Sequence, residues 1–284
     1  MKIETICVCG AGTMGSGIAQ VAAQNGFKTI QFDVGTDMLD KSRIAIEKNL
    51  NFLVDKGTLD DTMKENIMDN LIFTSNVEDC LGDVIIEAIV EKLDAKVNLI
   101  NQLAKFNHPK TIFATNTSSL SVSHIVEQTT VADKVVGMHF FNPPYLMKLV
   151  EVIETQQVSP EVVQQIVEFS KAFGKAPVVC KDLPGFIVNR VARHYYLEAM
   201  RLVENKMATI DEVDLIMEAS GFKMGPFKLM DMIGLDINYT ASEMVYNGLG
   251  KPERLTPSAI QQQKVREGSL GRKTGEGFYQ YKKN

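Results

Sequence analysis

Ile3-Glu4-Thr5-Ile6-Cys7-Val8-Cys9, followed at once by Gly10-Ala11-Gly12-Thr13-Met14-Gly15, decides the fold. The first stretch is an apolar run ended by glycine, the pattern of a strand buried in a parallel sheet. Helical periodicity follows from Gly15 to Asn25, and Lys28–Asp33 is a second strand-like run. Strand, glycine-rich turn, helix and strand make one βαβ unit, and this context gives the G-x-G-x-x-G spacing its meaning. The first glycine permits the tight turn, the second lets the backbone approach a pyrophosphate, and the third lets helix and strand pack closely. The helix N-terminus then offers N–H groups and a positive dipole end to the phosphates. Asp33 lies 21 residues past Gly12, at the end of the second strand. A carboxylate there accepts from ribose hydroxyls and repels a 2′-phosphate, so NAD is expected ahead of NADP. Neither Val34 nor Gly35 supplies an arginine to welcome that phosphate. The expected contacts are Gly10, Ala11, Gly12, Thr13, Met14, Gly15 and Asp33.

Outward from this unit, residues 36–56 read as a helix capped by Thr36 or Asp37, and residues 58–71 as another. Strand patterns at Leu71–Ser75, Asp83–Ile89, Thr111–Thr115 and Lys134–Phe141 alternate with helical ones. An extended pair, Leu149–Thr155 and Ala176–Lys181, closes this half. The alternation predicts an α/β fold with a doubly wound, mostly parallel sheet of the Rossmann type. From Phe186 onward the pattern is helical, broken at Gly221, Gly225-Pro226, Gly234, Pro252 and Pro257, with one late strand candidate at Gly277–Tyr281. Two domains are expected, 1–183 and an all-helical 184–284, which suits a chain of 284 residues.

Composition narrows the partners. Thirty Lys+Arg against 35 Asp+Glu leave a net charge of −5, without the basic surplus that nucleic acid requires. No apolar stretch approaches the roughly 20 residues of a membrane span, and the first residues lack the pattern of a secretory signal. A cytoplasmic protein is expected. Cys7, Cys9, Cys80 and Cys180 are too few and scattered for a disulfide framework. Cys7 and Cys9 share one strand face, as buried reduced thiols or, alternatively, a redox pair. A zinc site would need a second Cys or His pair at short spacing, so no metal is expected.

Of the four histidines, His139 stands apart, at the end of the run KVVGMHFFNPP. His108 falls in a polar turn, His124 near a helix start, and His194 beside two tyrosines. Ligands of doubly wound sheets bind outside the carboxyl ends of strands, which places His139 at the cofactor crevice. Histidine is a natural general base near neutral pH, although a satisfied core histidine is the competing reading. Glu151, flanked by Val150 and Val152, needs a partner if buried, and His139 is one candidate. Asn116-Thr117-Ser118-Ser119 ends another strand at its carboxyl side, where it can position a polar substrate or cap a helix. Asn189, a polar amide in the apolar helical stretch GFIVNRV, calls for an internal partner.

GAGTMGSGIAQ, IIEAIVEKLDAK, TNTSSLS, GMHFFNPP, MKLVEVI, PGFIVNRV and GRKTGEGFYQY, in this order along essentially the whole chain, resemble the two-domain L-3-hydroxyacyl-CoA dehydrogenases, bacterial 3-hydroxybutyryl-CoA dehydrogenases among them. The resemblance implies NAD as cofactor, an acyl-CoA as substrate and a homodimer formed through the helical domain. It makes His139 the catalytic acid/base, Glu151 its carboxylate partner, and Ser118 and Asn189 the hydrogen-bonding groups around the substrate. It assigns Glu91, Lys96, Asn142 and Lys273 to the cofactor, and Lys56 and Asn49 to coenzyme A, with Asn49 standing where some members have serine. The C-terminal segment resembles two branches, one acting on 3-hydroxybutyryl-CoA and one on 3-hydroxyadipyl-CoA. For the latter, Arg190, Arg193 and Arg201 are candidates for a distal carboxylate, against surface helix charges. Two further readings are a β-hydroxyacid dehydrogenase acting on a free acid, which typically uses a lysine, and an NAD-binding structural protein.

Overall fold

In the computed structural model, which describes residues 2–282, β1 (Thr5–Cys9) runs into the turn opened by Gly10. α1 (Thr13–Gln24) then returns the chain to β2 (Lys28–Phe32), parallel to β1. Gly10 has φ +111°, and a Cβ on Gly15 would sit 2.0 Å from the Gly10 carbonyl oxygen. Both positions demand glycine, one for backbone conformation and one for close approach.

The chain divides into two units, Met1–Asp182 and Leu183–Asn284. In the first, α2 (Thr36–Asp55) and α3 (Asp61–Asp69) precede β3 (Leu71–Thr74). A 3-10 turn, Val77–Asp79, leads to β4 (Val84–Glu87). Then come α4 (Leu93–Ala104), β5 (Ile112–Thr115), α5 (Val122–Glu127) and β6 (Val135–Phe140). β7 (Leu149–Glu154), α6 (Pro160–Ala172) and β8 (Ala176–Lys181) complete the unit. The eight strands are ordered β3-β2-β1-β4-β5-β6-β7-β8, parallel except for the antiparallel β6–β7 pair. The order reverses between β1 and β4, which opens a ligand crevice outside the carboxyl ends of these strands.

The packing explains the pattern. Ile6 and Val8 of β1, Ile86, Ala114, Val136 and Met138 of neighbouring strands, and Ile18, Ala19 and Ala22 of α1 share one buried core. Each large aliphatic side chain so buried contributes about 1.5–3 kcal/mol. α6 adds Val162, Val163, Ile166 and Phe169 to the same core.

Three local expectations are corrected. Gly35 caps α2, and Thr36 is its first helical residue. α3 is shorter than 58–71 because Asp60 caps it, accepting from the Met63 N–H at 2.7 Å. Gly277–Tyr281 forms no strand; among the described residues this tail shows only isolated bridges, Gly271 to Glu276 and Glu276 to Gln280. The tail is held instead by Asp231, whose carboxylate accepts from the N–H groups of Phe278 and Tyr279 and from the Tyr281 hydroxyl, each at 2.9 Å.

The second unit is helical: α7 (Val188–Glu204), α8 (Ile210–Ala219), α9 (Pro226–Ile233), α10 (Leu235–Gly248) and α11 (Ala259–Arg266). Leu197, Met200, Val213, Phe227, Met230, Leu235, Val245 and Leu255 form its core. Among the described residues no helix is long and apolar enough to cross a membrane.

Candidate active site

The cofactor end of the crevice is built by the β1–α1 turn. Gly12 caps α1 with no side-chain hydrogen bond, and the first turn of α1 carries no acidic residue. Helices α2, α4, α7, α9 and α10 likewise lack a side-chain cap, whereas α3, α5, α6, α8 and α11 receive one. A Cβ built on Gly12 would meet nothing within 4 Å, so this face of the turn is open to a phosphate. Asp33 closes the other side, accepting from the Ala11 N–H at 2.8 Å and the Gly35 N–H at 2.9 Å. The open turn, the uncapped helix start and the anchored carboxylate fit NAD.

A cleft of about 320 Å³ continues from this turn, lined by Gly12, Ser16, Gln20, Ser42, Asn49 and Asn142 among others. Asn49 donates to Gln20 Oε1 at 3.2 Å. Lys56 lies outside the lining, exposed at the end of α2 with its ammonium 5.5 Å from the Phe52 ring centroid. Lys175, in the turn before β8, donates to the carbonyls of Pro144 and Met147 and so ties down the loop that carries Asn142 and Pro143.

At the end of β6, His139 is directly opposite Glu151 of β7 in the antiparallel register. Their side chains project from the same face of the pair. His139 Nδ1 lies 2.8 Å from Glu151 Oε2, and both residues are buried. The Phe141 ring stands 4.6 Å from the imidazole, centroid to centroid. A carboxylate on Nδ1 fixes the orientation of the ring.

The loop after β5 hangs from a chain of charges. Lys96 Nζ, 1% exposed, is 2.6 Å from Glu87 Oε1 and 3.1 Å from Glu91 Oε2. Glu91 Oε1 accepts from the Thr117 hydroxyl at 2.5 Å, the N–H groups of Ser118 and Ser119 at 3.0 and 3.1 Å, and the Ser119 hydroxyl at 2.8 Å. Ser118 is thus held by its backbone while its side chain is exposed. Burial pushes the Glu87 carboxyl upward against the pull of Lys96. Glu91 is also raised by burial, but Lys96 and the loop hydroxyls outweigh this and hold it below the ordinary range. Asn116 Oδ1 accepts from the Phe140 N–H at 2.9 Å, joining this loop to the β6 end beside His139.

The first unit thus carries the glycine turn after β1, Asp33 after β2, Glu91 after β4, Lys96 on α4, Ser118 after β5, and His139 and Glu151 on β6 and β7. Asn189 and Lys273 belong to the second unit. Asn189 lies in the first turn of α7, its carbonyl accepting from Arg193 Nε at 3.0 Å, and Lys273 pairs with Asp236 at 2.5 Å. Sequence reasoning missed Glu87, Ser16 and Gln20. Glu87 had a visible signal, a carboxylate closing the apolar run Val84–Glu87.

Residues 5–183 match the family model described as the 3-hydroxyacyl-CoA dehydrogenase NAD binding domain, and residues 185–281 match the C-terminal domain of the same family. The chain is 39% identical to a 3-hydroxyadipyl-CoA dehydrogenase of Escherichia coli, over 99% of this chain and 60% of that protein. It is 40% identical to the mitochondrial hydroxyacyl-coenzyme A dehydrogenase of Sus scrofa, over 99% of this chain and 92% of that one. A crystal structure of (S)-3-hydroxybutyryl-CoA dehydrogenase from Ralstonia eutropha superposes with a TM-score of 0.95 at 34% identity, covering 99% of this chain and 100% of that one. With both of its halves matched in order to the two domains of one enzyme, the chain belongs to the 3-hydroxyacyl-CoA dehydrogenase family and is an NAD-dependent oxidoreductase of that family.

Proposed function

We propose that the chain interconverts L-3-hydroxybutyryl-CoA and its 3-oxo form, with His139 as the general acid/base. The single observation that carries this reading is the buried His139–Glu151 pair at the carboxyl end of β6. When bound, NAD supplies the hydride acceptor for C3 of the substrate. Gly10, Ala11, Gly12, Thr13, Met14, Gly15 and Asp33 hold it, with Glu91, Asn142 and, through Glu91, Lys96 shaping its far end.

In the oxidising direction His139 Nε2 takes the proton of the 3-hydroxyl. In the reducing direction it returns that proton to the 3-oxo oxygen. Glu151 keeps Nδ1 engaged and stabilises the imidazolium that forms. Ser118 donates to the substrate oxygen, and Asn189 is the second donor, each most effective where charge develops on that oxygen. Asn49 and Lys56 serve the coenzyme A moiety. The first unit thus acts as the NAD-binding domain and the second as the substrate-binding and dimerisation domain, in a cytoplasmic homodimer.

A dicarboxylic acyl chain would need a free cation. Arg201 donates to the carbonyls of Glu253 and Arg254, and Arg193 to those of Asn189 and Asn238 and to the Ser242 hydroxyl. These internal engagements speak against Arg193 and Arg201 as its partners, and leave Arg190, half-buried on α7, as the third candidate. The test is oxidation of NADH, and separately of NADPH, with acetoacetyl-CoA and with 3-oxoadipyl-CoA. The reading expects acetoacetyl-CoA and NADH to give the highest kcat/KM. Preference for 3-oxoadipyl-CoA would overturn the acyl assignment, and preference for NADPH would overturn the role of Asp33.

A further inference from the structure

Cys7, Cys9 and Cys80 meet on a face of β1 that the reaction does not use. The Sγ atoms of Cys7 and Cys9 are 3.9 Å apart, and all three sulfurs lie within 4.8 Å of one another. Three thiolates at about 2.3 Å around a zinc-sized ion, in one plane, stand about 4.0 Å from each other. The cluster therefore has close to the spacing of a trigonal thiolate site before any ion enters. Two of the sulfurs come from one strand at i and i+2. The third arrives from a segment fixed at both ends: the Cys80 N–H donates to the Val77 carbonyl at 3.1 Å, and its carbonyl accepts from Asn107 Nδ2 at 2.8 Å. Asn107 also accepts from the Gly82 N–H at 3.1 Å, and a Cβ on Gly82 would press on the Cys7 nitrogen at 3.2 Å. These contacts pin the loop against β1, as hydrogen bonds to metal ligands hold those ligands in place. Asp79 and Leu81, on either side of Cys80, are exposed, while the three cysteines are themselves buried.

We propose that Cys7, Cys9 and Cys80 form a binding site for a single thiophilic d10 cation of the zinc class. Soft thiolates select such ions, and no redox change is involved. An entering divalent cation forms three metal–sulfur bonds, and the thiol protons of the three ligands leave to solvent.

The test titrates the reduced, metal-stripped full-length protein with Cd2+, followed by thiolate-to-metal ultraviolet absorption, and with Zn2+ by equilibrium dialysis. One equivalent per chain is expected. Cys80→Ala and Cys9→Ala should each weaken binding on the order of a hundredfold, and Cys180→Ala, outside the cluster, should leave it unchanged. NADH binding reports that each variant is folded, and Cys9→Ala decides the matter if Cys80→Ala does not fold. Absence of the absorption band in the wild-type protein, or its survival in the folded variants of Cys80 and Cys9, overturns the site.

Discussion

His139 Nδ1 and Glu151 Oε2 stand 2.8 Å apart because β6 and β7 are antiparallel and in register at these two residues. Glu151→Gln preserves the shape of the pair, but its amide can donate to Nδ1 and favour the other imidazole tautomer. The expected result is a kcat lower by about 10²–10⁴, with the dissociation constant of NADH unchanged. Steady-state kinetics beside a fluorescence titration with NADH make the comparison. Equal losses in both would mean that Glu151 supports the fold and not the imidazole.

The glycine turn separates folding from binding. Gly12→Ala adds a methyl group where nothing lies within 4 Å, so its stability should stay within about 0.5 kcal/mol of the parent while NADH binding weakens about tenfold or more. Gly15→Ala places a carbon 2.0 Å from the Gly10 oxygen and should destabilise by about 3 kcal/mol or more. Urea unfolding and NADH titration distinguish the two.

Much of this was legible from spacing. The βαβ unit and the helical second half follow from periodicity and glycine placement, because β1 and α1 are contiguous in sequence and their contacts are local. The partner of His139 was legible only as one option. Twelve residues separate it from Glu151, and only the strand register makes them face each other. Lys96 was assigned to the cofactor, yet its ammonium is buried between Glu87 and Glu91. Spacing alone does not reveal a side chain folded back on its own helix start. Cys80 was equally hidden, since it joins Cys7 and Cys9 across more than 70 residues. The Gly277–Tyr281 segment carries a strand's composition but finds no sheet edge, and Asp231 takes its N–H groups instead.

Lys96→Met should be costly because it strands Glu87, which is 1% exposed. Removing one partner of a buried pair costs about 3–5 kcal/mol, whereas replacing both can be nearly neutral. Denaturant unfolding should therefore find the double variant Glu87→Gln/Lys96→Met more stable than Lys96→Met alone. The reverse order would show that Glu87 is satisfied without its lysine.

Glu91 gives a pH signature. Its carboxyl is held below the unfolded value of 4.5, so its stabilising contribution is present above that value and is lost as pH falls through the lower folded value. At pH 7, Glu91→Gln should lower stability by about 1 kcal/mol, a modest figure because about a third of the side chain faces solvent. The gap in Tm between the two proteins should narrow as pH drops below 4.5. A gap that is constant across this range would remove the charge from the explanation.

The most direct test of the central claim compares wild type with His139→Gln in the reduction of acetoacetyl-CoA by NADH, with NADH binding measured on the same samples. The account predicts rapid NADH oxidation by the wild-type protein, turnover lower by about 10²–10⁴ in the variant, and equal NADH affinity in both. Turnover by the variant within tenfold of wild type, at equal affinity, would contradict it and move the proton transfer to another group.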